Sequence, residues 1–170
     1  MSDTISYMLK ASTGQSLGAL ASILGKAKAH AGEMGVEESV FLSARLFPDM
    51  FPLLRQVQVA TDITKRGGER LAGLEPASTL DEETNFDELI ARCTAANEAV
   101  QGLDDDALNA NEKVTLQIPI GDQTMPMEGR FFLSNFILPN LHFHAATAYN
   151  LLRMQGVVLG KRDFLMPGGA

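Results

Sequence analysis

The segment from 134 to 149 holds the side chains with the most chemical potential. Two of the three histidines, His142 and His144, follow Pro139 in a stretch that is otherwise mostly apolar. A proline inside a helix cannot donate a hydrogen bond to the carbonyl four residues earlier, here that of Asn135. We therefore expect either a kink at this point or a free carbonyl group.

Helical geometry separates the two histidines. His144 follows the inward spacing of this helix, one turn after Asn140, so it is predicted to point into the protein interior. His142 lies about 200° away around the helix axis and does not share that face. Metal ligands on one helix are spaced by three or four residues, which this pair is not. His144, and His142 only if Pro139 distorts the helix, are the candidate metal ligands.

A second polar set lies earlier in the chain. Arg55, Gln58 and Asp62 are spaced by three and four residues and so share one helical face. With His144 and Asn140 they form a candidate binding pocket, in which the guanidinium would hold a carboxylate or phosphate and the imidazole would exchange a proton. Tyr149 borders the same region. The alternative interpretation is a solvated polar face, a hydrogen-bonded core histidine and a tyrosine that only packs.

Other familiar chemistry is missing from the sequence. The single cysteine, Cys93, lies at an apolar helical position, so neither an intrachain disulfide nor a cysteine metal cluster can form, and a reducing cytoplasm is the expected location. There is no glycine-rich phosphate loop, no nucleophile elbow and no calcium-binding loop pattern. No catalytic residue is assigned, and enzymatic activity stays open.

The overall composition and net charge limit which classes of molecule the protein is expected to bind. The chain has 170 residues, 45% of them hydrophobic, which suits a single domain over 1–170. Its net charge of -7 disfavours nucleic acid and anionic lipid as partners. The N-terminal residues lack the pattern of a signal peptide, and no apolar run approaches the roughly 20 residues that span a bilayer.

Hydrophobic periodicity predicts the elements that position these residues. Apolar residues at helical spacing indicate four long helices, while alternating residues with a Gly-Asp turn indicate a β-hairpin before the last helix. A polar, proline-containing stretch over 75–84 is predicted to be a surface loop. The result is an all-α protein, an up-down four-helix bundle with a small hairpin. The predicted bounds are 4 to about 31, about 49–74, 86–101 and about 130–155 for the helices, and 114–120 and 123–127 for the strands.

Three segments, 47–62, 138–149 and 160–164, resemble the DinB/YfiT-like superfamily of bacterial four-helix proteins, in particular an uncharacterised branch described as a domain of unknown function. This resemblance implies a bundle and frequent homodimers. In many members it also implies a divalent metal, bound by one histidine of the second helix and two of the last bundle helix. Some of those members are thiol-dependent transferases or isomerases.

The sequence departs from that metal pattern. Its second long helix contains no histidine and its last one lacks the H-x-x-x-H pair, so only His144 or His142 matches a family ligand. The leading hypothesis is a homodimer that binds an unknown small molecule in an interhelical polar pocket. The alternative is a metal-dependent transferase or hydrolase in which His144 and carboxylates such as Asp49 or Asp62 hold the ion. A third option is a dimerisation module without a ligand.

Overall fold

Four long helices form the centre of the protein. The computed structural model describes residues 3–169, and the predicted helical bundle with a small hairpin is confirmed. Its elements are α1 (Thr4–Met34), α2 (Glu38–Leu42), α3 (Leu53–Leu71), α4 (Phe86–Gln101), α5 (Asp105–Ala110), β1 (Thr115–Ile120), β2 (Gln123–Glu128), α6 (Gly129–Phe132), α7 (Leu138–Met154) and α8 (Lys161–Leu165), with a π-helical turn at Leu133–Ile137 and a 3-10 turn at Pro167–Gly169.

The long helices are arranged in a ring. Helices α1 and α3 each pack against both α4 and α7. The chain therefore crosses the bundle twice, once through α2 and once through α5 and the hairpin. The connection of residues 72–85 instead joins the neighbours α3 and α4 and has no regular secondary structure. Helix α3 is thus placed between the helices that carry the functional candidates.

The ends of α4 and α3 follow from local residue chemistry. Helix α4 has its predicted bounds, because the side chain of Asn85 caps it by accepting a hydrogen bond from the Glu88 amide at 2.9 Å. The predicted start of the second long helix near Asp49 is wrong, since α3 begins at Leu53. Proline disfavours helical geometry in the residue before it, so Pro52, with an extended ψ of 165°, marks the boundary.

The last predicted helix is interrupted rather than continuous. The turn Leu133–Ile137 is π-helical, and the Leu138 amide donates to the Leu133 carbonyl five residues earlier. Pro139 then lies in the first turn of α7, where a missing amide donor costs little. The distortion expected from Pro139 is therefore taken up by the π turn before it.

Gly67 of α3 explains how closely the π turn packs. A Cβ on Gly67 would lie 2.6 Å from Ile137 Cδ1, and both Gly67 and Gly68 are buried. The helix runs through both glycines without a break. Glycine at this position lets α3 and the π turn approach each other.

The hairpin covers one end of the bundle. Strands β1 and β2 are antiparallel, and Ile118 and Met127 join a buried cluster with Leu108 and Phe132. Helix α5, which supplies Leu108, was not predicted from the sequence. Among the described residues, no helix combines the length and apolar character needed to cross a membrane.

Candidate functional site

The most connected polar side chain is Arg92 of α4. Its side chain is only 4% exposed, on the same helical stripe as the buried residues Leu89 and Ala96. A guanidinium has five N–H donors, and Arg92 uses four of them in hydrogen bonds. The acceptors are Thr61 Oγ1 at 2.8 Å from Nε, the Leu80 carbonyl and Glu83 Oε1 at 2.8 Å from Nη1, and Asp62 Oδ1 at 2.7 Å from Nη2. Asp81 Oδ1 forms an additional ion pair, 3.0 Å from Nη2.

These contacts tie three parts of the fold together. Thr61 and Asp62 belong to α3, whereas Leu80, Asp81 and Glu83 belong to the 72–85 connection. We call Arg92, Asp62, Asp81 and Glu83 the Arg92 cluster. Because that connection has no ladder of backbone hydrogen bonds, Arg92 is a main reason for its position against the bundle.

Two of the predicted pocket residues extend the Arg92 cluster. Arg55 forms an ion pair with Asp81 and donates a hydrogen bond to Gln58 Oε1 at 3.3 Å. Buried Gln58 in turn donates to Glu83 Oε2 at 2.8 Å. The two guanidinium groups therefore face three carboxylates, and this region carries one net negative charge.

Burial and pairing shift the pKa values within the cluster. Burial raises the pKa of Asp62 above its ordinary value, more than the charge and hydrogen bond of Arg92 lower it. Burial also raises the pKa of Glu83, but hydrogen bonds from Arg92 and Gln58 outweigh it and hold that pKa below its ordinary value. Burial lowers the pKa of Arg92, but the hydrogen bonds and charges of Glu83 and Asp62 outweigh burial and raise that pKa above its ordinary value.

A cavity of about 720 Å³ lies between α3, α4 and the 72–85 connection. Its wall carries four carboxylates against two cationic side chains. Within residues 3–169, the Glu82 carboxylate makes no hydrogen bond or ion pair. Alanine and leucine side chains form its apolar part. The lining residues are Thr61, Asp62, Lys65, Ser78, Thr79, Leu80, Glu82, Glu83, Glu88, Ala91, Arg92, Ala95 and Ala96.

The structure places His144 apart from this cavity. Its ring is buried, as the spacing predicted, and Nδ1 lies 2.7 Å from Gln56 Oε1. Because Gln56 Nε2 donates to the Phe51 carbonyl at 3.0 Å, Oε1 is the acceptor and Nδ1 carries the proton. Burial, and secondarily the charge of Arg55, hold the pKa of His144 below its ordinary value. The ring is therefore a neutral donor to Gln56.

The predicted pocket is thus divided between two faces of α3. Gln58 is two residues after Gln56, so the two side chains leave the helix about 200° apart. Arg55, Gln58 and Asp62 meet the Arg92 cluster, whereas Gln56 meets His144 on α7. The structure brings the first three together and leaves His144 outside that hydrogen-bonded group.

The remaining predicted site residues are also dispersed. Half-buried Asn140 donates its side-chain amide to the Phe136 carbonyl at 2.7 Å. Tyr149 packs edge-on against Phe164 of α8, with ring centroids 5.8 Å apart. His142 is exposed and His144 is buried, so the two rings do not converge.

The side chains present do not fit the metal centre that the family resemblance implies. In the described part of the chain, no three histidine, cysteine, aspartate or glutamate residues are grouped so that they could hold an ion. Near His144 the facing side chain of α3 is Gln56, whose Oε1 already accepts a hydrogen bond from the imidazole Nδ1–H. Asp62 is engaged by Arg92.

Sequence reasoning missed Arg92, Asp81 and Glu83. Arg92 sits three residues after Leu89 and four before Ala96, so a charged residue on an apolar stripe was the available signal. Its neighbour Cys93 is fully buried, and burial raises the pKa of this thiol to about 12. That thiol is a core side chain, in agreement with its apolar position in the sequence.

Comparison with known proteins places the chain among uncharacterised relatives. Residues 8–165 match a family described as a domain of unknown function (DUF1993). The fold is similar to the crystal structure of a DinB family member protein from Shewanella denitrificans, with a TM-score of 0.87 and 34% sequence identity. The match covers 95% of this chain and 92% of that one. No curated protein matches.

Proposed function

Since the chain belongs to the DUF1993 family of DinB-like helical proteins, we propose that it binds a small organic cation in the cavity beside the Arg92 cluster. The unpaired Glu82 carboxylate on the wall of that cavity is the observation that carries this proposal. The ligand would place an ammonium group near Glu82 and an apolar group against the alanines of α4.

The charge of the site favours a cation over an anion. Arg92 donates four hydrogen bonds and forms ion pairs with Asp62, Asp81 and Glu83, so its charge is already matched by carboxylates of the protein and does not favour an anionic ligand. The anion binding at Arg55 that the sequence suggested is therefore not proposed for this cavity. Four carboxylates against two cationic side chains create a negative potential, which attracts a cation.

The size and apolar wall favour an organic ligand. A volume of about 720 Å³ lies within the range of about 300–1,000 Å³ that is typical of small-molecule sites. Leu80 and the α4 alanines 91, 95 and 96 offer apolar surface, and burying such surface stabilises a bound hydrocarbon group. An aryl-alkylamine combines both features.

Tryptamine is a suitable probe because the protein contains no tryptophan, so indole fluorescence reports only the ligand. We expect its fluorescence anisotropy to rise on titration with the protein. Tryptophol, a neutral analogue, should bind more weakly, and indole-3-propionate, an anion, most weakly. Equal affinity for the anion and the cation would contradict the proposal.

A pair of glutamate variants tests the position of the charge. Glu82→Gln should weaken tryptamine binding about fivefold, because an accessible ion pair contributes up to about 1 kcal/mol. Glu33→Gln removes the same charge from an exposed position on α1 and should leave binding unchanged. If both variants bind tryptamine like the parent protein, Glu82 is not part of the site.

The proposal includes a homodimer in the cytoplasm. Large aromatic side chains that are more than half exposed, Phe47 at 64% and Phe143 at 57%, support self-association because such groups are enriched in interfaces. The free, buried Cys93 is compatible with a reducing compartment. Light scattering coupled to size-exclusion chromatography tests the dimer, and a monomer at micromolar concentration would contradict it.

A further inference from the structure

Two arginines of α3 stand out because they lack partners. Arg66 and Arg70 are one helical turn apart, on the same stripe as Arg55. Within residues 3–169, neither guanidinium group makes a hydrogen bond or an ion pair. Arg55 and Arg92 of the same region are both paired with carboxylates. Although the chain carries a net charge of -7, no carboxylate of the described residues pairs with Arg66 or Arg70.

These arginines border a groove with an apolar floor. The groove has a volume of about 250 Å³ and lies between α3, β1 and the π turn with its preceding helix α6. Its floor contains the buried side chains Ile118 and Phe132, and the Phe132 and Phe136 rings stack with centroids 5.6 Å apart. The remaining lining residues are Arg55, Val59, Asp62, Ile63, Arg66, Gly67, Arg70 and Pro119.

We propose that this groove binds a small organic anion, with one carboxylate or phosphate group beside a compact apolar body. Guanidinium groups present planar donor pairs that match carboxylate and phosphate oxygens. The phenylalanine floor would bury the apolar body, and the volume of about 250 Å³ equals roughly eight waters at ~30 Å³ each. A single ring with an anionic head group has about this size.

The one carboxylate of the groove does not neutralise this potential. Asp62 lines both the groove and the larger cavity, but its Oδ1 accepts from Arg92 Nη2 at 2.7 Å. Arg55 uses only Nη1 in its bonds to Asp81 and Gln58, so its other donors remain for a ligand. The Asp62–Arg92 pair thus separates a negative cavity from a positive groove.

Phenyl phosphate and benzoate are the probes, titrated into the full chain by isothermal calorimetry. Binding of either one supports an organic-anion site, and their ratio distinguishes phosphate from carboxylate recognition. Inorganic phosphate lacks the apolar body and benzylamine lacks the anion, so both should bind at least tenfold more weakly. Inorganic phosphate that binds as tightly as phenyl phosphate would overturn the role of the apolar floor.

Matched double variants test the two arginines. Arg66→Gln with Arg70→Gln should weaken binding of the better probe at least tenfold, while Lys161→Gln with Arg162→Gln, an equal charge change at exposed positions of α8, should leave it unchanged. Equal affinity in both double variants would overturn the proposal. Unchanged tryptamine binding in the Arg66 and Arg70 variant keeps this result separate from that for the larger cavity.

Discussion

Removing the guanidinium of Arg92 should destabilise the whole fold. Arg92→Met keeps most of the side-chain length but deletes four hydrogen bonds, two of them to carboxylates, and an ion pair with Asp81. It leaves Asp62 and Glu83 without their cation, at side-chain exposures of 22% and 12%. The cost therefore comes mainly from unpaired charges in a region that water reaches poorly.

The size of this effect follows from the exposure of the stranded carboxylates. Removing one partner of a buried ion pair costs about 3–5 kcal/mol. Because water reaches part of both carboxylates, we expect a loss of about 3 kcal/mol, at the lower end of that range. For a chain of this length each kcal/mol lowers the melting temperature by about 2–4 °C, so the predicted decrease is about 6–12 °C.

Urea unfolding and a double-mutant cycle measure this effect. Glu83→Gln should cost less stability in the Arg92→Met background than in the parent, by about 1 kcal/mol or more, because the charge it removes is already unpaired. Arg162→Met, at an exposed position, is the control for losing an arginine. Additive costs, or an Arg92→Met variant within about 0.5 kcal/mol of the parent, would refute this reasoning.

Three further predictions concern other parts of the fold. Burial, and then a nearby arginine charge, lower the pKa of His144, so stability should fall as the pH drops below about 6.5, and His144→Asn should flatten that part of a urea-denaturation pH profile. In Gly129→Ala the new Cβ would overlap the backbone carbonyl of Asn111, so the free energy of unfolding should fall by about 2 kcal/mol or more. Gly25→Ala has open space around the new Cβ and should raise the free energy of unfolding by about 0.5–1 kcal/mol. Cys93 should resist iodoacetamide in the native protein and react once urea unfolds it, since burial raises its pKa to about 12; labelling of the native protein at the unfolded rate would contradict its burial.

Elements governed by local chemistry were predictable from the sequence. The bounds of α4 follow from Asn85 as a capping residue and from an apolar stripe that ends near Gly102. The hairpin follows from alternating residues around Gly121, which adopts a φ of 58°. Burial of His144 followed from its spacing alone. For α4 and the hairpin the deciding interaction lies within a few residues of the chain, and for His144 the apolar spacing of its own helix supplied the signal.

The elements that depend on distant contacts were not predictable. The π turn before Pro139 packs against Gly67, about 70 residues earlier in the chain, and that contact is not visible in the local sequence. The Arg92 cluster joins α3, α4 and the 72–85 connection, which composition alone marked as an exposed loop. From the sequence alone, Asp81 and Glu83 are therefore expected to be solvent-exposed charges. Only the folded structure shows that both pair with Arg92.

Mapping of backbone amide chemical shifts during a tryptamine titration tests the central claim most directly, because it locates the bound cation on the intact chain. We predict the largest shifts at Thr61, Glu82 and Ala95 around the larger cavity, with small shifts near Gln56 and His144. Shifts centred on His144, or spread evenly over the surface, would contradict a cation site beside the Arg92 cluster.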